Sequence, residues 1–137
     1  MDISDFVKKA KEYNVLGIKI SVGFAVQEGL IDLNEKLTEA FSGDFPECID
    51  ENLKEATVRD LLTMCLGQEK GSLMGEQRPL YEEDNWVKMS LAIPFKYKPG
   101  THFVYNNVGP YLAGILVQRR SGCDLVSYLT PRLFSKL

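Results

Sequence analysis

The sequence predicts a mainly α fold: one helical domain with a little residual β. Three observations point there. Apolar residues recur at helical spacing in most segments. Serine, threonine, aspartate or asparagine stands before several of these runs, and glycine or proline closes them. Stretches of strand-like alternation are short, and no internal repeat or low-complexity tract interrupts the pattern.

Taken in order, residues 2–13 place Ile3, Phe6, Val7, Ala10 and Tyr13 on one face, with Lys8, Lys9, Lys11 and Glu12 opposite. That is an amphipathic helix, with Ser4 or Asp5 as its cap. A second helix spans about 15–28 and ends at Gly29. Gly17 and Gly23 each weaken it by about 1 kcal/mol relative to alanine, so it is expected to depend on tight packing. Residues 33–37 read as a turn and 42–47, with Pro46, as a loop. Thr57 caps a helix running to Met64, with Val58, Leu61, Leu62 and Cys65 at i, i+3, i+4 and i+7. Residues 67–79 lack periodicity and read as a surface loop.

Asp84 is expected to open a helix that carries Trp86, Val87, Met89, Ser90 and Leu91 and stops at Pro94. Residues 95–98 form an extended link into the Pro99-Gly100 turn. The most apolar helix follows, over 107–121, with Val108, Tyr111, Leu112, Ile115 and Leu116 in register and Gly122 closing it. Pro110 fits only in a first turn, which sets the start near Asn106 or Asn107. Gly109 and Gly114 permit close helix contacts. Asp124 caps a last helix bearing Leu125, Val126, Tyr128 and Leu129, which Pro131 ends or kinks. Residues 1–14 thus form an N-terminal amphipathic helix and 15–137 the body of the fold.

Composition narrows the function classes. The 137 residues are 45% hydrophobic and 26% charged, with a net charge of -3. A soluble domain of this length buries roughly 70% of its unfolded surface. No basic stripe suggests nucleic acid, and no apolar run approaches the ~20 residues a membrane span requires. No signal-peptide pattern opens the chain, so a cytoplasmic setting with reduced thiols is expected for Cys48, Cys65 and Cys123. With one histidine and no Cys-x-x-Cys pair, neither a zinc site nor any other cofactor is expected.

The candidate site is the string from Pro99 to Asn107, which sets a phenol, Tyr105, and a carboxamide, Asn107, at the start of a helix. The field there is positive and favours anions. A buried tyrosine beside a capping asparagine is the structural alternative. The string resembles the "PG-x-x-F-x-Y-S-N" box of the serine β-lactamase-like hydrolases, the group of class C β-lactamases and penicillin-binding proteins. Residues 56–67 are similar to that group's "TVRHLLTHTSG" box, 22–37 to "AVGLLVDEGKLDLDDPV", and 128–137 to "YLxxRIFxPLGM". Four boxes stand in family order.

The resemblance implies the all-α lobe of the class C β-lactamase fold, with the tyrosine as proton shuttle and the asparagine as a binder of substrate amide. It also implies a nucleophile, the serine of a Ser-x-x-Lys motif whose lysine helps remove its proton. Counting back from Gly29 puts those slots near Glu12 and Val15, and no Ser-x-x-Lys string occurs in the 137 residues. The Lys-Thr-Gly-type element is missing as well; Lys98-Pro99-Gly100 belongs to the turn before Tyr105.

Tyr105 and Asn107 are then a relict pair, and the expected function is a truncated or partial serine hydrolase domain without activity of its own. Its expected partners are a second copy, as a homodimer, or the missing half of the hydrolase fold. Two further classes stay open: a non-catalytic helical binding module, and an enzyme whose nucleophile is replaced by Cys65 or Tyr105. The apolar faces at Val15, Ile18, Val22 and 24–26, and at 108–117, are expected to be left partly uncovered unless the N-terminal helix or a second copy covers them.

Overall fold

The computed structural model describes residues 14–69 and 85–137, with side chains in the first stretch from residue 17 onward. The expected helix over 2–13, most of the loop over 67–79 and the Asp84 cap lie outside the described residues. The rest is mainly helical. The only strand-like pairings among the described residues are two isolated antiparallel bridges, Lys36 with Thr57 and Gln68 with Phe95. The chain forms two compact units. One combines residues up to Asp32 with Ala113–Leu137, and the other is the continuous stretch Leu33–Leu112.

In the first unit, α1 spans Asn14–Gln27. Gly29, at φ 75°, ends it. Its N–H donates to the Val26 carbonyl (3.1 Å) while the Leu30 N–H reaches back to Ala25 (2.8 Å). This paired closure satisfies two of the carbonyls a helix end leaves free. Ile18, Val22 and Ala25 are buried. The packing of α1 runs through these side chains; a methyl group at Gly17 or Gly23 would meet nothing within 4 Å.

The last helix of this unit, α7 (Leu125–Leu129), packs on α1. Asp124 caps it, accepting from the Ser127 N–H at 2.9 Å and from the Ser127 hydroxyl at 2.7 Å. A 3₁₀ turn, Phe134–Lys136, follows. Gly114, on the long helix α6 (Val108–Ser121), lets Ile18 and Leu125 approach, with a hypothetical Cβ 3.3 Å from Leu125 Cδ1 and 3.5 Å from Ile18 Cδ1.

Among the described residues, the second unit holds four short or middling helices and the first turn of α6. The expected turn over 33–37 is present at Leu33-Asn34, and beyond Lys36 the chain enters α2, Leu37–Ala40, whose Leu37 is fully buried. Next comes α3, Glu51–Glu55, with Asp50 accepting from the Asn52 N–H at 2.8 Å. The sequence pattern does not show α3, because five residues are too few to display a period.

α4, Val58–Leu62, opens on Thr57, whose N–H and hydroxyl both donate to the Asp60 carboxylate at 2.9 Å. It stops two residues short of the expected Met64, because Met64 takes a positive φ of 59° and turns the chain. α5, Trp86–Ala92, is capped by Asn85, which accepts from the Lys88 N–H at 3.0 Å. Ile93 is extended ahead of Pro94, the conformation a following proline imposes.

The apolar faces of α1 and α6 are largely covered. Val108, Leu112, Ala113, Leu116 and Val117 are fully buried, and among the described residues the exposed large apolar side chains lie elsewhere, at Ile49, Phe103, Tyr105, Val126 and Leu137.

Candidate functional site at the start of the long helix

The site is built on the chain between α4 and α5 and the segment entering α6, all within the continuous unit. Gly67, at φ 102°, accepts the Tyr97 N–H on its carbonyl at 2.9 Å. A side chain at this position would run into the Tyr97 carbonyl, so only glycine fits. Gln68 is fully buried and donates from Nε2 to the Ser90 carbonyl at 2.8 Å and the Ile93 carbonyl at 3.3 Å, fixing the end of α5. Further along, the Gly100 N–H donates to the Cys65 carbonyl (2.8 Å) and the Val104 N–H to the Met64 carbonyl (2.9 Å). Residues 64–67 thus form a ledge on which the Pro99-Gly100 turn and the following segment rest.

That segment alternates in exposure. Phe103 and Tyr105 are 70% and 67% exposed, Val104 is half-buried, and Asn106 is buried. Asn106 supplies the cap: its Oδ1 accepts the Gly109 N–H at 3.0 Å. Gly109 in turn lies against the Leu61 backbone, where a Cβ would collide with the Leu61 carbonyl oxygen. Pro110 sits in the first turn of α6, where its missing N–H costs nothing.

Tyr105 and Asn107 therefore flank a buried capping asparagine immediately before the helix. Tyr105 is not the buried core tyrosine of the alternative reading. Because Asn106 does the capping, the half-buried Asn107 carboxamide stays outside the cap, while the Asn107 carbonyl accepts the Tyr111 N–H at 3.2 Å. The site thus offers an exposed phenol and a half-buried carboxamide, both hydrogen-bonding groups, at the helix start.

Cys65, the other nucleophile weighed, is half-buried, and its thiol lies 3.4 Å from the Thr63 carbonyl. All three cysteines are free thiols. Among the described residues, no group of three or more His, Cys, Asp or Glu side chains is placed to hold a metal ion. No helix among them is long and apolar enough to cross a membrane.

Among the described residues, an electrostatic cluster lies in the discontinuous unit, and the sequence pattern gives no sign of it. Arg132 donates from Nε to Glu28 Oε1 (2.5 Å), from Nη2 to Glu28 Oε2 (3.0 Å) and from Nη1 to the Tyr128 carbonyl (2.8 Å). The guanidinium also lies 3.9 Å over the centre of the Tyr128 ring. The Tyr128 hydroxyl donates to Glu28 Oε2 at 3.2 Å. The bond from Arg132 holds the Glu28 carboxyl below its ordinary range, and Glu28 pushes the guanidinium up. Burial, and then Glu28, pushes the Tyr128 phenol up. Glu28 and Arg132 stand 104 positions apart, so no local pattern announces them.

The family model for beta-lactamase matches residues 21–137, and the chain belongs to the beta-lactamase family. No curated protein matches the sequence.

Proposed function

We propose that this chain is a helical portion of a beta-lactamase-related serine hydrolase, lacking the acyl-serine chemistry of its family when alone. The observation that carries this reading is Tyr105, held 67% exposed before α6 while Asn106 takes over the cap. A tyrosine serving only the core would be buried. A phenol displayed beside a carboxamide, with no Ser-x-x-Lys or Lys-Thr-Gly string in the 137 residues, is half of a site whose nucleophile is supplied from elsewhere. The supplier is the remaining part of the hydrolase fold, since a second copy would carry the same 137 residues. The three free thiols suit a cytoplasmic setting.

The test is turnover of a chromogenic cephalosporin by the chain, with mass spectrometry for a covalent acyl adduct. Removing a nucleophile leaves only what binding and positioning contribute to rate, so no turnover above buffer and no adduct are expected. Turnover that disappears in Tyr105→Phe would overturn the reading.

A second reading, a non-catalytic helical binding module, is favoured by the neighbouring exposed aromatics Phe103 and Tyr105. It predicts a monodisperse, well-behaved chain, whereas an uncovered lobe self-associates.

A further inference from the structure

His102 is the only histidine in the chain, and it is exposed. Its surroundings fix the state of its ring. The Thr101 hydroxyl donates to the Lys98 carbonyl at 2.5 Å, which uses its single hydrogen. The same oxygen lies 2.8 Å from His102 Nδ1. It can only accept there, so Nδ1 must carry the hydrogen. The ring is also held in plane, stacked on Tyr97 with centroids 4.2 Å apart and planes 18° from parallel. Tyr97 is anchored in turn through its N–H to Gly67. The relay runs from the Lys98 carbonyl through the Thr101 hydroxyl to the imidazole. With the hydrogen on Nδ1, the lone pair of the neutral ring falls on Nε2, the nitrogen that takes no part in these contacts. The hydrogen bond made by one imidazole nitrogen sets which nitrogen is left to act. This arrangement is independent of Tyr105 and Asn107.

We propose that His102 Nε2 is an oriented nucleophile toward activated aryl esters, with Thr101 as its positioning residue. In the first step the lone pair of Nε2 forms a bond to the acyl carbon as the C–O bond to the aryl oxide breaks. This leaves an N-acylimidazolium whose Nδ1–H stays on the Thr101 oxygen. Water then adds to the acyl carbon, the C–Nε2 bond breaks, and the carboxylic acid, one proton and the neutral imidazole are released.

The tests are ¹⁵N–¹H correlation of the imidazole and the rate of p-nitrophenyl acetate cleavage by the full chain. The expected results are an Nδ1–H tautomer and a rate several-fold above that of an N-acetylhistidine amide at the same pH. The excess should vanish in His102→Gln. Thr101→Val should shift the hydrogen to Nε2 and lower the rate to that of the free amide, and Thr101→Ser should restore both. Circular dichroism of each variant establishes that it folds. An Nε2–H tautomer in the unaltered chain, or a rate unchanged in His102→Gln, overturns the proposal. Because the probe is an aryl ester and the residue is His102, failure here leaves the cephalosporin result unaffected, and the reverse also holds.

Discussion

Replacing Gly109 by alanine sets two effects of opposite sign against each other, and the structure decides between them. Inside a helix, glycine to alanine is worth up to about 1 kcal/mol of added stability. Here the new methyl group meets the Leu61 carbonyl oxygen and lies 3.2 Å from its carbon and 3.4 Å from its Cα, all backbone atoms of α4. Backbone cannot swing aside as a side-chain end can. The start of α6 must move, which overpacks the contact at a cost of about 1–3 kcal/mol. The movement also pulls the Gly109 N–H from Asn106 Oδ1, a cap worth about 1 kcal/mol. The net expectation is a loss of about 1–3 kcal/mol. Gly114→Ala is the control on the same helix, because its nearest neighbours are the side-chain ends of Leu125 and Ile18. It should be neutral or slightly stabilising. Urea unfolding read as a midpoint shift at unchanged m-value measures both variants. A Gly109→Ala variant as stable as the parent, or more so, would refute the claim that α6 packs through its glycine on the α4 backbone.

Acid should destabilise the chain through Glu28 and Asp124, whose carboxyls are held below their ordinary values of 4.5 and 3.8 by Arg132 and by Ser127 respectively. Their contribution is present above those values and lost as pH falls below them. Urea midpoints against pH should show this, and Arg132→Gln should flatten the Glu28 part. The Tyr128 phenol is shifted the other way, so stability should fall as pH rises past its ordinary value of 10.0, and Tyr128→Phe should remove that alkaline loss. Gly67→Ala should destabilise by more than about 1 kcal/mol, since it meets both a positive φ and the Tyr97 carbonyl; unfolding at the parent midpoint would contradict this. Deleting residues 1–13 should produce aggregation or a changed oligomeric state by light scattering. A truncated chain that stays a soluble, cooperatively folding monomer would show that those residues cover nothing.

What the sequence displays and what it hides follow from range. The stop at Gly29, the Asp124 cap, the first-turn Pro110 and the closure at Gly122 are local, each set by the chemistry of one residue and its near neighbours, and the structure has each of them. The position of Tyr105 and Asn107 before α6 is legible for the same reason. The division of labour within Asn106-Asn107 is not, because either asparagine can cap; burial selects Asn106. Met64 carries no left-handed preference, so the early end of α4 comes from the ledge that its carbonyl builds with Val104. The packing expected of α1 runs through Ile18, Val22 and Ala25 rather than through its glycines, whose sequence positions do not say whether a bare face meets a neighbour. The Glu28–Tyr128–Arg132 cluster joins residues about a hundred positions apart, beyond the reach of any periodicity.

That separation bears on the order in which the chain can fold. The unit over Leu33–Leu112 is contiguous, so its ledge, caps and Gly109 contact are available as soon as that stretch has been synthesised. The other unit is assembled from two ends of the sequence, and Glu28 must wait for Arg132. Closing a loop of that length adds an entropic cost that grows only with its logarithm, but the contact cannot be formed before its second half exists. On the ribosome, α1 would therefore emerge before α7 and stay without that partner until residues 125–129 have left the exit tunnel. During that interval Ile18, Val22 and Ala25 lack the covering that α6 and α7 later supply within their unit, a window in which chaperone capture or misassembly competes with folding.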